Sequence, residues 1–223
     1  MISPSPEEQL LGWTVHQDLG FGAALLTGRS SMISALDSRI RALKIISKVA
    51  SFKTRLSVCT ALVVSKLLYM LPLYAGAPDY MLAALQRKLS EAMRVVTRRK
   101  WEVVGRRLTP TAELLSQCGY LSVRQMAYYH SVVAVHKVLV HQAPVYMHQV
   151  VQGALASGVH HQYPTRAAGA RVVAPARLEA ANTSWRWRAS AQHAALPAEL
   201  RTEASMQQFQ AKLREHTKAH INI

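Results

Sequence analysis

The sequence predicts a mainly α fold, and three observations carry that prediction. Half of the 223 residues are apolar, enough to bury a sizeable core. Apolar residues recur at steps of three and four over most of the chain, the period of a helix packed on one face. Helix-starting residues (Ser30 and Ser31, Asp79, Thr109-Pro110, Ser122, Ser205) precede those runs, and Gly119 and Gly153 follow two of them. One stretch reads otherwise: "LGWTV", residues 11–15, is rich in β-formers and ends in "HQDLGFG", a strand followed by a turn.

Taken in order, Ser30 and Ser31 open a first helix. Ile33, Leu36, Ile40, Leu43, Ile46 and Val49 share one of its faces, while Arg39, Arg41, Lys44 and Lys48 lie mostly on others. A second helix is expected over 53–74. It is apolar almost all round and therefore central, with Pro72 kinking or ending it. Asp79 caps a third, over 80–96, with Leu82, Leu85, Leu89, Met93 and Val96 inward and Arg87, Lys88, Arg94 and Arg98 elsewhere. Thr109 caps a short helix with Pro110 at its first position, and Gly119 ends it. Ser122 and Gln125 form a capping box for a long helix over 123–142, and Pro144 opens another that Gly153 stops. Residues 153–183 are dominated by Gly, Ala, Pro and Arg without a period, which predicts a loop or linker. "SWRWRASAQHAAL" begins a short helix, and Ser205 with Gln208 caps the last one. The expected divisions are 1–28, 29–108, 109–152, 153–183 and 184–223.

Charge narrows the function classes. Lys and Arg number 27 against 12 Asp and Glu, a net charge of +15. Residues 1–28 carry three acids and no Lys or Arg, whereas residues 39–107 hold fifteen cations against Asp79, Glu91 and Glu102. So concentrated a field favours polyanions, nucleic acid first and an anionic membrane second. The stretch "RVVTRRKWEVVGRR" sets Arg94, Arg98, Arg99, Lys100, Arg106 and Arg107 against Glu102 alone. A basic helix end complements the macrodipole, but that effect needs one or two cations and is worth about 0.3–1 kcal/mol. The excess points to a phosphate-facing patch. The cations expected to carry it are Arg39, Arg41, Lys44 and Lys48 on the first helix, and Lys53 and Arg55 in the turn after it. Arg87, Lys88, Arg94, Arg98, Arg99 and Lys100 on and beyond the third, with Arg106 and Arg107, complete it. Arg186 and Arg188, interleaved with Trp185 and Trp187, form a second candidate, in which at least one Trp is expected to anchor the tail.

Other chemistry is not suggested. Cys59 and Cys118 stand alone, outside any zinc-ribbon spacing, and read as buried reduced thiols in an intracellular, nuclear or cytoplasmic protein. "MISPSPEEQLLG" has neither the basic start nor the apolar run of a signal peptide. The stretch 56–74 is long enough to span a bilayer, but Lys66 near its centre favours a core helix, so no membrane partner is expected. There is no G-x-S-x-G and no phosphate-binding glycine loop. His216 and His220 lie four apart, yet no third ligand is implied, so no metal, cofactor or catalytic residue is expected.

Six segments in order carry a resemblance. They are "LLGWTVHQDLG", "VASFKTRLSVCTALVVSKLLYMLPLY", "ALQRKLSEAMRVVT", "TPTAELLSQCGYLSVRQMAYYHSVVAVHKVL", "SWRWRASAQHAALPAELR" and "SMQQFQAKLREH". Together they resemble the region after the palm in reverse transcriptases of non-LTR retrotransposons, the LINE- or jockey-like class. The resemblance implies that Leu11-Gly12 belongs to a palm-closing strand and that 29–108 is a thumb-like helical bundle. Ser184 to Arg188, Leu196-Pro197 and Ser205 to Phe209 match the family's later motifs. It further implies a partner in RNA or an RNA–DNA template–primer held by its phosphates, and in the palm and fingers of such an enzyme. The family's polymerisation needs converging palm aspartates to hold two metal ions. Here the aspartates are Asp18, Asp37 and Asp79, none beside another acid, so this chain is expected to be the non-catalytic C-terminal part of an RNA-directed DNA polymerase. A helical interaction module retained by a host, or a pseudogene product, are the rival readings.

Overall fold

The computed structural model describes residues 7–10, 13–16, 21–27, 31–69, 71–99, 110–156 and 185–220. The chain is mainly α, as expected. Its β structure among the described residues is a hairpin, with β1 (Glu7–Leu10) antiparallel to β2 (Trp13–His16) and Leu10 opposite Trp13. A single unpartnered strand is the expectation; instead its backbone donors and acceptors find a local mate in residues just before it. Leu11 and Gly12 lie outside the described residues.

Two compact units form: 1–70 with 77–123, and 71–76 with 124–223. In the first, a π-helical turn (Ala23–Thr27) leads into α1 (Met32–Ser47). Ser31 caps α1, its Oγ accepting from the Ser34 amide at 3.3 Å. Met32, Leu36, Ile40 and Leu43 are buried, but Ile46 in the last turn of the helix and Val49 two residues beyond its end are exposed.

The expected central helix over 53–74 is broken. It comprises α2 (Phe52–Cys59), a π-helical turn (Thr60–Val64), α3 (Ser65–Leu68) and α4 (Leu71–Tyr74), the last belonging to the second unit. Ser57, Thr60, Ala61, Ser65 and Tyr69 are exposed, so this segment has a wet side. A π turn opens the backbone and frees carbonyls. Side chains cover them here: the Arg39 guanidinium donates to the Leu62 carbonyl at 2.8 Å, and the Thr60 hydroxyl to Leu56 at 2.8 Å.

Packed against α1 and α2 is α5 (Asp79–Thr97), with Leu82, Leu85, Leu89, Ala92, Met93 and Val96 buried. Next comes α6 (Thr111–Cys118), which buries Leu114, Leu115 and Cys118 and packs on α5, so it belongs with the basic bundle rather than with the helices after it. Gly119, at φ +72°, ends it, and the Tyr120 amide reaches back to Leu115 at 2.9 Å. Cys59 and Cys118 are buried free thiols, and burial, with Cys118 nearby, pushes Cys59 up to about 12.

The second unit is organised by α7 (Val123–His141); its first residue, Val123, still belongs to the first unit, where its amide donates to the Gln86 side chain at 2.8 Å. Val132 packs with Leu196, Leu200, Phe209 and Leu213 on one side. Val135 and Val138 pack with Val151, Leu155 and Ala189 on the other. These contacts come from α8 (Val145–Ala156), α9 (Trp185–Ala194), α10 (Ala198–Arg201) and α11 (Met206–His220). Ser205 caps α11, and its own amide is held by Glu203 rather than by the expected Gln208. The expected linker over 153–183 overlaps the end of α8, and 157–184 lie outside the described residues.

Candidate polyanion-binding cleft

Within the first unit α1 and α5 pack together, and a cleft of about 1160 Å³ opens along them. Five cations line it: Lys44 from α1, Arg87, Lys88 and Arg94 from α5, and Arg98 just beyond α5. Glu91 is its one acidic lining residue, and Leu26, Ile33, Ala84 and Val95 make it partly apolar. The cations converge because both helices bury one stripe against the core. The polar residues flanking those stripes are then left beside the helix–helix seam.

The field is tempered by two carboxylates. Lys44 Nζ lies 2.7 Å from Glu91, and Lys88 Nζ lies 2.6 Å from Asp37 and 3.7 Å from Glu91. All four side chains are between a quarter and about a half exposed. Ion pairs in such settings are worth about 0–1 kcal/mol, so a phosphate can displace either acid. Sequence reasoning places Lys44 and Lys88 here but misses Asp37 and Glu91. The i, i+3 spacing of Lys88 and Glu91 was a local signal for one of these pairs.

The remaining expected phosphate contacts go elsewhere. Arg41 and Lys48 are exposed on the side of α1 turned away from Leu36, Ile40 and Leu43, and Lys53 is exposed at the start of α2. Arg55 is corrected: it is buried, donating from Nε to the Val96 carbonyl and from Nη1 to Ala50, each at 2.7 Å. Arg98 donates to the carbonyls of Ser47 at 2.9 Å and Lys48 at 3.1 Å. These two guanidiniums cover the orphan carbonyls at the ends of α1 and α5, where the macrodipole favours cations. Arg39 is held by Leu62 as above, and Arg99 pairs with Glu113. Arg188 is corrected too: it donates to the Pro72 carbonyl at 2.8 Å, a helix-end acceptor in its own unit. Trp185 packs against the cluster around Val135, an anchor as expected for one of the two tryptophans. Lys100, Arg106, Arg107 and the Arg186 side chain lie outside the described residues, as do Thr109 and Ser184.

No metal site forms among the described residues: no three His, Cys, Asp or Glu side chains converge. His216 and His220 stack with ring centroids 4.3 Å apart, and one ring nitrogen of His220 bonds to the His216 carbonyl. No described helix is long and apolar enough to cross a membrane. Comparisons with protein-family models, curated proteins and solved structures return no match to this chain.

Proposed function

We propose that the α1–α5 cleft binds RNA or an RNA–DNA hybrid through backbone phosphates, as the non-catalytic thumb-like part of a non-LTR reverse transcriptase. The observation that supports the reading is the convergence of Lys44, Arg87, Lys88 and Arg94 on one cleft from two helices, with Arg98 at its end held by the α1 carbonyls. Phosphate recognition asks for cations on helix faces and little else, which matches a lining without a planned set of base-reading amides. The six ordered segments supply the family reading, and the lack of any aspartate beside another acid supports a binding rather than a polymerising role.

Hybrid binding should fall steeply with salt. Four engaged cations give a slope of log K on log salt near −3.5, or about two orders of magnitude between 50 and 200 mM. Arg87→Glu with Arg94→Glu should weaken all sequences alike, by at least tenfold, whereas Lys212→Glu on α11 should change little. A flat salt titration, or equal losses from both variants, would end this reading.

A further inference from the structure

The outer face of α1 runs through the following turn into α2 as a surface of mixed chemistry, separate from the cleft. Ile45 is 70% exposed, Val49 91% and Phe52 41%. Arg41, Lys48 and Lys53 are exposed beside them and belong to no ion pair among the described residues. Arg41, Ile45 and Lys48 follow at i, i+4 and i+7, so they share the side opposite the buried stripe. None of these six residues lines the cleft. Residues 38–78 contain no acid, and Asp37, one turn before Arg41, is paired with Lys88 at 2.6 Å.

The pairing of aliphatic tips with cations selects the partner. A phosphate backbone uses the cations and leaves Ile45 and Val49 in water, since base stacking needs an aromatic face and here only Phe52 has one. A second copy of this chain would bring +15 against +15. An anionic bilayer uses both halves: headgroups take the Lys and Arg, and the apolar tips enter the headgroup–acyl boundary. Such docking needs no spanning helix, and it departs from the expectation of no membrane partner. We propose that this surface docks the protein peripherally on membranes rich in anionic phospholipid. The inference does not depend on the cleft reading.

A basic protein adsorbs to any anionic surface, so the test separates insertion from adsorption. The full chain is sedimented with phosphatidylserine–phosphatidylcholine vesicles and with phosphatidylcholine alone. Binding is expected only to the first. The triple variant Arg41→Gln, Lys48→Gln, Lys53→Gln should bind on the order of a hundredfold more weakly, at about fivefold per cation. The charge-preserving triple Ile45→Ser, Val49→Ser, Phe52→Ser should lose at least tenfold for vesicles and nothing for RNA–DNA hybrid. These side chains are exposed, so circular dichroism should show both variants folded. A polarity-sensitive fluorophore on Val49→Cys should shift to the blue on anionic vesicles. Absence of vesicle binding, vesicle binding indifferent to the apolar triple, or an apolar triple that weakens hybrid binding instead would each overturn the proposal.

Discussion

An arginine can satisfy a phosphate or an orphaned carbonyl, and this chain uses it for both. Arg55 is 6% exposed and spans from Val96 to Ala50. Removing it leaves the Val96 carbonyl at the end of α5 without its side-chain donor and takes from Ala50 the shorter of its two arginine contacts, and hydrogen bonds from charged groups are worth about 1.5–3 kcal/mol. Arg55→Met should therefore lower unfolding stability by about 2–4 kcal/mol in urea titrations. Arg41→Met, which removes an exposed cation of the same list, should change it by less than about 0.5 kcal/mol. Equal effects would mean that Arg55 holds nothing together. Both residues look alike in the sequence, each a cation near the first basic helix. What distinguishes them is a carbonyl 41 positions away, at Val96, and no local pattern encodes that.

Helix ends show the same division between what is local and what is not. Ser31, Gly119 and Ser205 act where their chemistry places them, because a cap is built from residues a few positions apart. Two glycines, one at a helix end and one inside a helix, then predict opposite signs. Gly119 sits at φ +72°, and a Cβ there meets nothing, so Gly119→Ala should cost about 1 kcal/mol from backbone conformation alone. Gly153 lies inside α8 with open space and no positive φ, so Gly153→Ala should gain about 0.5–1 kcal/mol. Denaturation midpoints that move together would refute the pair. The inward faces of α1 and α5 were legible because Leu36, Ile40 and Leu43, and Leu82, Leu85 and Leu89, repeat with one strict period. The segment 53–74 was not. Its apolar residues have no single face, and the π turn over Thr60–Val64 resets the register partway along. Val49 continues the apolar step of α1, but the helix has already ended at Ser47.

Across the whole chain, titratable groups are sorted between the two units. Lys and Arg dominate residues 39–107, whereas nine of the ten histidines, all but His16, lie in 124–223. The cleft was therefore legible as a concentration of charge, though its tempering acids were not. The histidines' role emerges only from packing. His136 is buried against Phe209, rings stacked at 3.6 Å. One ring nitrogen bonds to the Glu203 carbonyl at 3.0 Å, and the other meets His193 at 3.2 Å. A neutral His136 satisfies both contacts when Nε2–H donates to the carbonyl and Nδ1 accepts from the partner imidazole. Burial lowers its affinity for a second proton, with the nearby His141 acting the same way, against opposition from Glu203. Burial also lowers His130, and burial with His220 lowers His216. The unfolded chain thus binds more protons than the folded one below the ordinary histidine value near 6.5. Stability is complete above that pH and is lost as pH falls through it toward the depressed folded values. Hydrogen exchange, corrected for intrinsic rates, should show α7, α9 and α11 losing protection between pH 7.5 and 5.5 while α1 and α5 keep theirs. His136→Gln should flatten part of that response. A uniform loss in both units, or none in the second, would show that the buried imidazoles do not govern it.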